Sequence, residues 1–478
     1  MYLGLDLGTS GVKALLIADD QRVLGSATGA LSVSRPQSGW SEQDPTDWIE
    51  ATRVALGKLG ANHDLSGVAG IGLSGQMHGA TLLDASDTVL RPCILWNDTR
   101  SHVEAAAMDA DPQFRAVTGN IVFPGFTAPK LAWVKAHEPE VFARVAKVLL
   151  PKDYLRLWLT GAHVSEMSDA AGTSWLDTGT REWSDELLAA TGLDRSTMPA
   201  LVEGSEVSGG LRAEMAEFGL RPGIPVAGGA GDNAASAIGM GIARAGEAFV
   251  SLGTSGVLFA ANDGYAPDPD TALHTFCHAV PGRWHQMGVI LAAADALSWF
   301  GTLTGTSAAD LTEGLGSLQA PGRALFLPYL GGERTPINDA QVRGAMIGLE
   351  HATDRAAATR AVLEGVTFAF RDSLDAMLAT GTRPDRLVAV GGGSRSNYWL
   401  KAIATALDLP IDVPVDGDFG AAFGAARLGL MAASGSGVEI AGQPAIDHTV
   451  EPDATLTDAF AQAHARYKLT YASLKELS

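Results

Sequence analysis

The sequence predicts an α/β protein built from two similar domains with a ligand cleft between them. Three observations carry this expectation. The hexapeptide L-G-T-S-G-V stands at residues 7–12 and again at 252–257, half a chain apart, and self-similarity at that distance marks a duplicated unit. Each copy lies between two apolar runs, so each reads as the turn of a β-hairpin. In both halves strand patterns then alternate with helical ones, the order of an α/β sheet. With 478 residues and 46% hydrophobic content, the chain also exceeds what a single core organises, and two domains of a few hundred residues or fewer are expected.

The elements follow in order. Residues 2–7 and 12–17 form the first hairpin, and 23–32 a third strand. Residues 45–59 read as a helix with Asp44 as its cap, Pro45 at its first position and Gly60 after its end. Trp48, Ala51, Ala55 and Leu59 share one face of it. A strand over 67–73 runs into the turn Ser74-Gly75-Gln76-Met77-His78-Gly79. The second hairpin pairs 248–252 with 257–261. It is followed by a long helix over 354–380, a strand over 387–390, the triple glycine Gly391, Gly392 and Gly393, and helices over 397–407 and 419–433. The boundary falls near Ala243, giving domains 1–243 and 244–478.

Composition excludes several classes of function. Asp and Glu outnumber Lys and Arg by 54 to 34, and the net charge of −20 repels nucleic acid and anionic membrane. Cys93 and Cys277 are the only cysteines, so no disulfide framework is expected and a reducing cytoplasm is the natural home. The N-terminus has no basic region before its first apolar run, which already contains Asp6, and no stretch approaches eighteen uninterrupted apolar residues. Gly70, Gly72 and Gly75 match a dinucleotide fingerprint, but the first two lie inside a strand, where they mark a close approach of backbone. His274, Cys277, His278 and His285 match no familiar zinc spacing and read as a core strand with surface histidines. A P-loop is absent, because Gly57-Lys58 is followed by Leu59.

The repeated turn carries the chemistry. Gly, Thr, Ser and Gly in a tight turn aim backbone N–H groups and hydroxyls at one point, a cradle for phosphate. Two such turns, Thr9 and Ser10 in one half and Gly253, Thr254 and Ser255 in the other, imply two domains gripping one polyphosphate. Asp6 ends the first strand, where a carboxylate facing the core without a partner is costly. Facing the cleft, it becomes the candidate for a hydrated Mg²⁺, which prefers carboxylate oxygen and retained water; the alternative is an Asp that bonds turn N–H groups. The matching residue in the second half is Ser251.

A hairpin opening with D-L-G-T-S and repeated as S-L-G-T-S resembles the actin-like (ribonuclease H-like) ATPase superfamily with its paired phosphate loops. The run Gly125-Phe126-Thr127-Ala128-Pro129-Lys130-Leu131-Ala132-Trp133 is similar to the first signature of the FGGY carbohydrate kinases. Residues 344–349 and 359–364 approach the second signature, with Ala357 and Ala358 departing from it. The stretches S-G-Q-M-H-G-A (74–80), L-W-N-D (95–98), L-P-K-D-Y-L (150–155), S-D-A-A-G-T (168–173) and G-D-N-A-A (231–235) are most similar to the xylulokinase branch of that family.

This resemblance implies two actin-like domains with ATP and Mg²⁺ between them. It implies transfer of phosphate to D-xylulose, giving D-xylulose 5-phosphate in D-xylose breakdown. It makes Asp232 the general base that takes the hydroxyl proton. It places the sugar on Met77 and His78, with Gln76, Trp96, Asn97 and Asp98 as neighbours, and the nucleotide at Gly391, Gly392, Gly393 and Asn397. A small sugar and ATP are the expected partners, in a cytoplasmic homodimer. The alternatives are an FGGY kinase for ribulose, a deoxyxylulose, a pentitol or glycerol, and, from another class, an actin-like or Hsp70-like nucleotide switch.

Overall fold

A computed structural model describes residues 1–475 apart from Asp416 and Asp418. The last residues of the second predicted domain, 476–478, lie outside the described residues. Two seven-stranded sheets organise the chain. The first begins with β1 (Tyr2–Leu7), β2 (Gly11–Ile17) and β3 (Val23–Ala30) and takes β4 (Gly70–Gly75) beside β1. It is completed by β5 (Val207–Gly210), β6 (Pro225–Ala227) and β7 (Ala230–Gly231), in the order β5-β6-β4-β1-β2-β3 with β7 also against β4. The second contains β8 (Glu247–Leu252), β9 (Gly256–Asn262), β10 (His274–Cys277), β11 (Trp284–Ile290), β12 (Arg386–Val390), β13 (Ile411–Pro414) and β14 (Ile446–Val450). Its order is β10-β11-β9-β8-β12-β13-β14.

The duplication read from the hexapeptide is a duplication of topology. In the first sheet β2 is antiparallel to both β1 and β3, and β4 runs parallel to β1. In the second, β9 is antiparallel to both β8 and β11, and β12 runs parallel to β8. Within these ladders Asp6 lies opposite Lys13 and Ser74, and Ser251 opposite Val257 and Val390. The two strand ends are therefore equivalent in place and unequal in charge.

Helix α1 (Pro45–Gly60) starts as expected, with Asp44 accepting from the Thr46 N–H, and buries Trp48, Ala51, Ala55 and Leu59. Its end differs by one residue: Gly60 belongs to the last turn and Ala61 is the cap. Between β4 and β5 the chain builds an insert that includes Thr127–His137 and α2 (Pro151–Thr160). Phe126, Trp133 and Trp175 of this insert share a core with Phe249, Phe259, Phe276 and Met287 of the second sheet. The insert thus joins the two sheets by packing. After β7 comes α3 (Asp232–Gly239), and after β11 comes α4 (Ala294–Thr304). The long helix α5 (Arg355–Ala379) has Asp354 and Thr380 as its caps, α6 (Asn397–Leu407) follows β12, and α7 spans Ala421–Ser434.

Helix α7 crosses back. It belongs to the second half of the sequence but lies on the first sheet and on α3, so the two halves are not separate bodies in space. Only glycine permits this approach. A Cβ on Gly4 would stand 1.9 Å from the Ala422 carbonyl oxygen, on Gly72 1.8 Å from that of Ala425, and on Gly424 1.7 Å from that of Ala235. The match to a dinucleotide fingerprint at residues 70–75 is therefore packing, as the position of its glycines within the strand indicates. One expectation fails here. His274, His278 and His285 are not at the surface but buried, at 4%, 0% and 1% exposure. They are stacked with Phe259 and Phe276, and burial holds each imidazole neutral.

Gly72→Ala should destabilise the protein by about 1–3 kcal/mol, the cost of overpacking a rigid contact. Gly57→Ala, in α1 with open space around its Cβ, should stabilise it by about 0.5–1 kcal/mol. Urea midpoints of the two variants check both signs.

Candidate active site

The parallel strands β1, β4 and β7 end at one edge of the first sheet, where an α/β fold places its ligands. Asp6 stands at the end of β1, and Asp232 is the first residue of α3, directly after β7. The Asp232 carboxylate accepts from its neighbour's backbone N–H at 2.7 Å and from the Asn233 Nδ2 at 3.0 Å. Burial pushes its pKa up to about 7, the charge of Asp6 pushes in the same direction, and the two hydrogen bonds from Asn233 oppose them. An acid that titrates near neutrality is suited to proton transfer. Two carboxylates that repel each other across this floor also fit a divalent cation bound by oxygen and water.

The strand end that carries Asp232 is clamped from below. Arg156 of α2 donates to the carbonyls of Ala227 at 2.7 Å and Gly228 at 2.5 Å, and the Gly231 N–H donates to Ser168 Oγ at 3.1 Å. Around Arg156 lie Lys152, Asp153, Glu166 and Asp169, all fully buried. Lys152 Nζ stands 2.6 Å from Asp153, 3.5 Å from Glu166 and 3.4 Å from Asp169. Burial drives the Asp169 carboxyl well above the usual carboxylate range, against the pull of Lys152. The P-K-D and S-D-A-A-G-T stretches thus support the site from beneath.

A cavity of about 500 Å³ opens above this floor. Met77, His78, Trp96, Asn97 and Asp232 line it from the first domain, and Ser251, Gly253 and Ser255 from the second. His78 sits at φ 70°, in the left-handed region, at the tip of the Q-M-H-G turn. Its ring stacks on Phe126 at 4.6 Å, and its Nδ1 lies 2.7 Å from the Gly172 carbonyl. That contact fixes Nδ1 as the protonated nitrogen and leaves Nε2 as an acceptor. Burial and the nearby Lys130 charge lower its pKa to about 3, so the ring is neutral. Gly172 makes room for it, since a Cβ there would meet the His78 Cε1 at 2.4 Å. Met77 presses on Gly231, where a Cβ would meet its sulfur at 2.8 Å.

Not every predicted residue is free for ligand. Trp96 Nε1 donates to the Thr9 hydroxyl at 3.0 Å, and that hydroxyl donates to Gln76 Oε1 at 3.1 Å. Gln76 Nε2 in turn donates to Gln43 Oε1 at 2.9 Å. The Thr9 side chain therefore ties the first hairpin turn to the turns that carry Gln76 and Trp96, while Ser10 is exposed at its tip. Asp98 lines the cavity, but its oxygens accept from the Ser41 N–H and from the Arg100 N–H and guanidinium. Its work is to hold the loop after Trp96 and Asn97.

A second cavity of about 630 Å³ lies on the other side of residues 252–256. Gly392, Gly393, Asn397 and Trp399 line it together with Ala294, Leu297 and Ser298 of α4. Thr254 and Gly253 link the two cavities, because their carbonyls accept from the Ala293 and Ala294 N–H groups at 2.9 Å. Gly391, at φ 91°, turns the chain at the edge of this cavity, and a Cβ on it would strike the backbone of Leu252. Asp6, Thr9 and Ser10 line neither cavity but form the floor and the first hairpin turn beside them.

Sequence reasoning missed Arg156, whose burial shows only once the folded strands surround it. It also missed Arg334, which lines the first cavity from the second domain.

A turn repeated on duplicated sheets, with a carboxylate of raised pKa in the cavity that both domains line, fits a phosphotransferase of the actin-like class. The chain belongs to the FGGY family of carbohydrate kinases: the family's N-terminal domain matches residues 1–239 and its C-terminal domain residues 248–433. Over its whole length it is 47% identical to the full xylulose kinase of Escherichia coli K12, and over 90% of each chain it is 52% identical to that of Klebsiella pneumoniae. The crystal structure of a xyloylose kinase from Brucella ovis, 63% identical over all of both chains, superposes with a TM-score of 0.99.

The raised pKa of Asp232 has a consequence for stability. The folded state holds a proton near pH 7 that the unfolded chain releases near 4, so wild-type stability falls as pH rises from about 4 to about 7 and is level above. Asp232→Asn lacks this slope. Its advantage over wild type should grow across that window to on the order of a few kcal/mol, read from denaturation midpoints at pH 5 and pH 8.

Proposed function

We propose that this chain transfers the γ-phosphoryl group of ATP to O5 of D-xylulose, giving D-xylulose 5-phosphate and ADP, as a cytoplasmic step of D-xylose catabolism. The observation that carries the proposal is the Asp232 carboxylate, lifted toward neutrality in a cavity shared by His78 and the second phosphate loop. Relatives that bear the name xylulose kinase over the whole chain support the choice of sugar.

In this reading the sugar occupies the first cavity, and the nucleotide the second, with its phosphates at residues 252–256 and 8–11. His78 Nε2 accepts from one sugar hydroxyl. Asp232 accepts the proton of the O5 hydroxyl; the O5–phosphorus bond forms as the bond between the γ-phosphorus and the β,γ-bridging oxygen breaks, and ADP carries away the freed charge. Closing the cleft excludes water, which otherwise competes with O5. Asp6 is the residue assigned to a hydrated Mg²⁺, which when bound offsets the charge on the phosphates. No helix of the described residues is long and apolar enough to cross a membrane, and both cysteines are free and buried; these support the cytoplasm. A homodimer is proposed on the family resemblance alone.

A coupled ADP assay with D-xylulose, D-ribulose, xylitol and glycerol tests the substrate, and D-xylulose should give the highest kcat/KM. That value should rise tenfold per pH unit up to about 7 and then level, because the base must be ionised. Asp232→Asn should lower turnover by about 10²–10⁴-fold with sugar and ATP affinities nearly kept. ADP release unaffected by any sugar would instead indicate a nucleotide switch. Asp6→Asn should raise the Mg²⁺ concentration for half-maximal rate, as a titration at fixed ATP will show.

A further inference from the structure

Arg334 differs from the other enclosed arginines in having neither an ion pair nor the three oxygen acceptors that Arg427 finds on Gln21, Ile238 and Gly239. Arg100 is paired with Asp98 and Glu42, Arg156 with Asp153, and Arg181 with Glu203. Arg334 forms no ion pair among the described residues. Its guanidinium lies 4.7 Å above the Phe123 ring and 3.5 Å from His274 Nε2, and it lines the same cavity as Asp232 and His78. A guanidinium has five N–H donors and no acceptor, so most of its donors are directed elsewhere than at protein.

The segment that carries it is fixed. The Arg334 and Leu291 N–H groups donate to Glu333 Oε1 at 2.8 and 2.9 Å. Thr335 is stapled on both sides, its N–H to the Val289 carbonyl and its hydroxyl to that of Ala272, each at 3.1 Å. Glu333 and Thr335 thus hold Arg334 between them against β11. Such support suits a side chain that must meet a ligand in one place.

Phosphorylation at O5 constrains the sugar. A 2-ketopentose closes its ring by attack of O5 on C2, so a free O5 belongs to the open chain, which carries a C2 carbonyl. That oxygen accepts hydrogen bonds and cannot donate one. From the first domain His78 Nε2 and Asp232 offer acceptors to the cavity, the donors of Trp96, Thr99 and Asn233 are already engaged by Thr9, Gly39 and Asp232, and the Asn97 amide can donate or accept.

We infer that Arg334, reaching in from the second domain, donates to the carbonyl oxygen of an open-chain 2-ketose and so separates ketoses from polyols of the same length. In a polyol the hydroxyl at this place still accepts from the guanidinium, but it brings a proton that the guanidinium cannot take and that needs a further acceptor. The inference rests on the reading of this cavity as the sugar site.

The test compares Arg334→Met, Arg334→Lys and His78→Ala with wild type, using kcat/KM for D-xylulose and for xylitol and calorimetric binding of D-xylulose. A donor left without an acceptor in an enclosed site weakens binding about tenfold. Arg334→Met should therefore lower the xylulose-to-xylitol ratio by on the order of 10-fold, with the KM for ATP unchanged within about twofold. Arg334→Lys should keep part of the ratio, and it carries the test alone if Arg334→Met does not fold. An unchanged ratio in the arginine variants, with xylulose binding weakened in His78→Ala, overturns the inference and leaves the sugar site standing. Equal loss for both sugars also overturns it, by assigning Arg334 to phosphate. Wild-type xylulose binding in every variant overturns the sugar site itself.

Discussion

Five ionisable side chains with no exposure to water lie beneath the strand that ends at Asp232, and the site depends on their staying together. Moving an isolated ion out of water costs several kcal/mol even after relaxation, so Lys152, Asp153, Arg156 and Glu166 are stable there only as a set. Lys152 faces Asp153, Glu166 and Asp169, Arg156 faces Asp153, and burial raises the Asp169 carboxyl against the pull of Lys152. Each remaining donor finds an oxygen: Arg156 reaches the Val164, Ala227 and Gly228 carbonyls and Ser208, and Glu166 accepts from the N–H groups of Ser168 and Asp169. A removed member would leave an uncompensated charge, at a cost of about 3–5 kcal/mol. The result is a rigid base for a segment of four small residues, 228–231, that could not fix its own course.

That rigidity explains how a carboxylate can be kept poised. Asp232 is the first residue of a helix and would be stabilised in its ionised form by the helix N-terminus. Burial and the Asp6 charge override this, because neither aspartate can turn away from the other while β1 and β7 are both held against β4. The Thr9, Gln76 and Gln43 hydrogen bonds extend the same stiffness to the first hairpin, and the latch between residues 253–254 and α4 extends it to the second.

What the sequence disclosed divides along physical lines. Local signals were legible: the hairpins, the capping Asp44, the long helix read over 354–380 and the glycines of the strand 70–75 each declare themselves within a few residues. The unequal loop ends, Asp6 and Ser251, were legible because the repeat itself aligns them. Long-range features were not. Lys152 and Arg156 look like the solvated face of an amphipathic helix, and only the arrival of residues 166–169 and 227–231 from far along the chain buries them. The histidines of β10 and β11 read as surface groups because the insert that covers them lies a hundred residues and more upstream. Thr9 was read as a phosphate ligand, since nothing local announces that Trp96 and Gln76 claim its hydroxyl. Arg334 lies in an irregular segment with no periodicity to place it.

The return of α7 to the first sheet bears on how the chain comes into being. As the protein leaves the ribosome, β1 to β4 emerge early, yet the face that carries Gly4 and Gly72 stays bare until residues 421–434 follow near the end of synthesis. Through that interval the nascent first domain has a sheet face on which Leu15 and Ile17 lack their α7 partners and the backbone at Gly4 and Gly72 lies uncovered. Arg427, which donates to the carbonyls of Ile238 and Gly239 at the end of α3 and to Gln21 Oε1, then locks the late helix to two early segments at once. The N-terminal domain is thus finished by a helix from the C-terminal half.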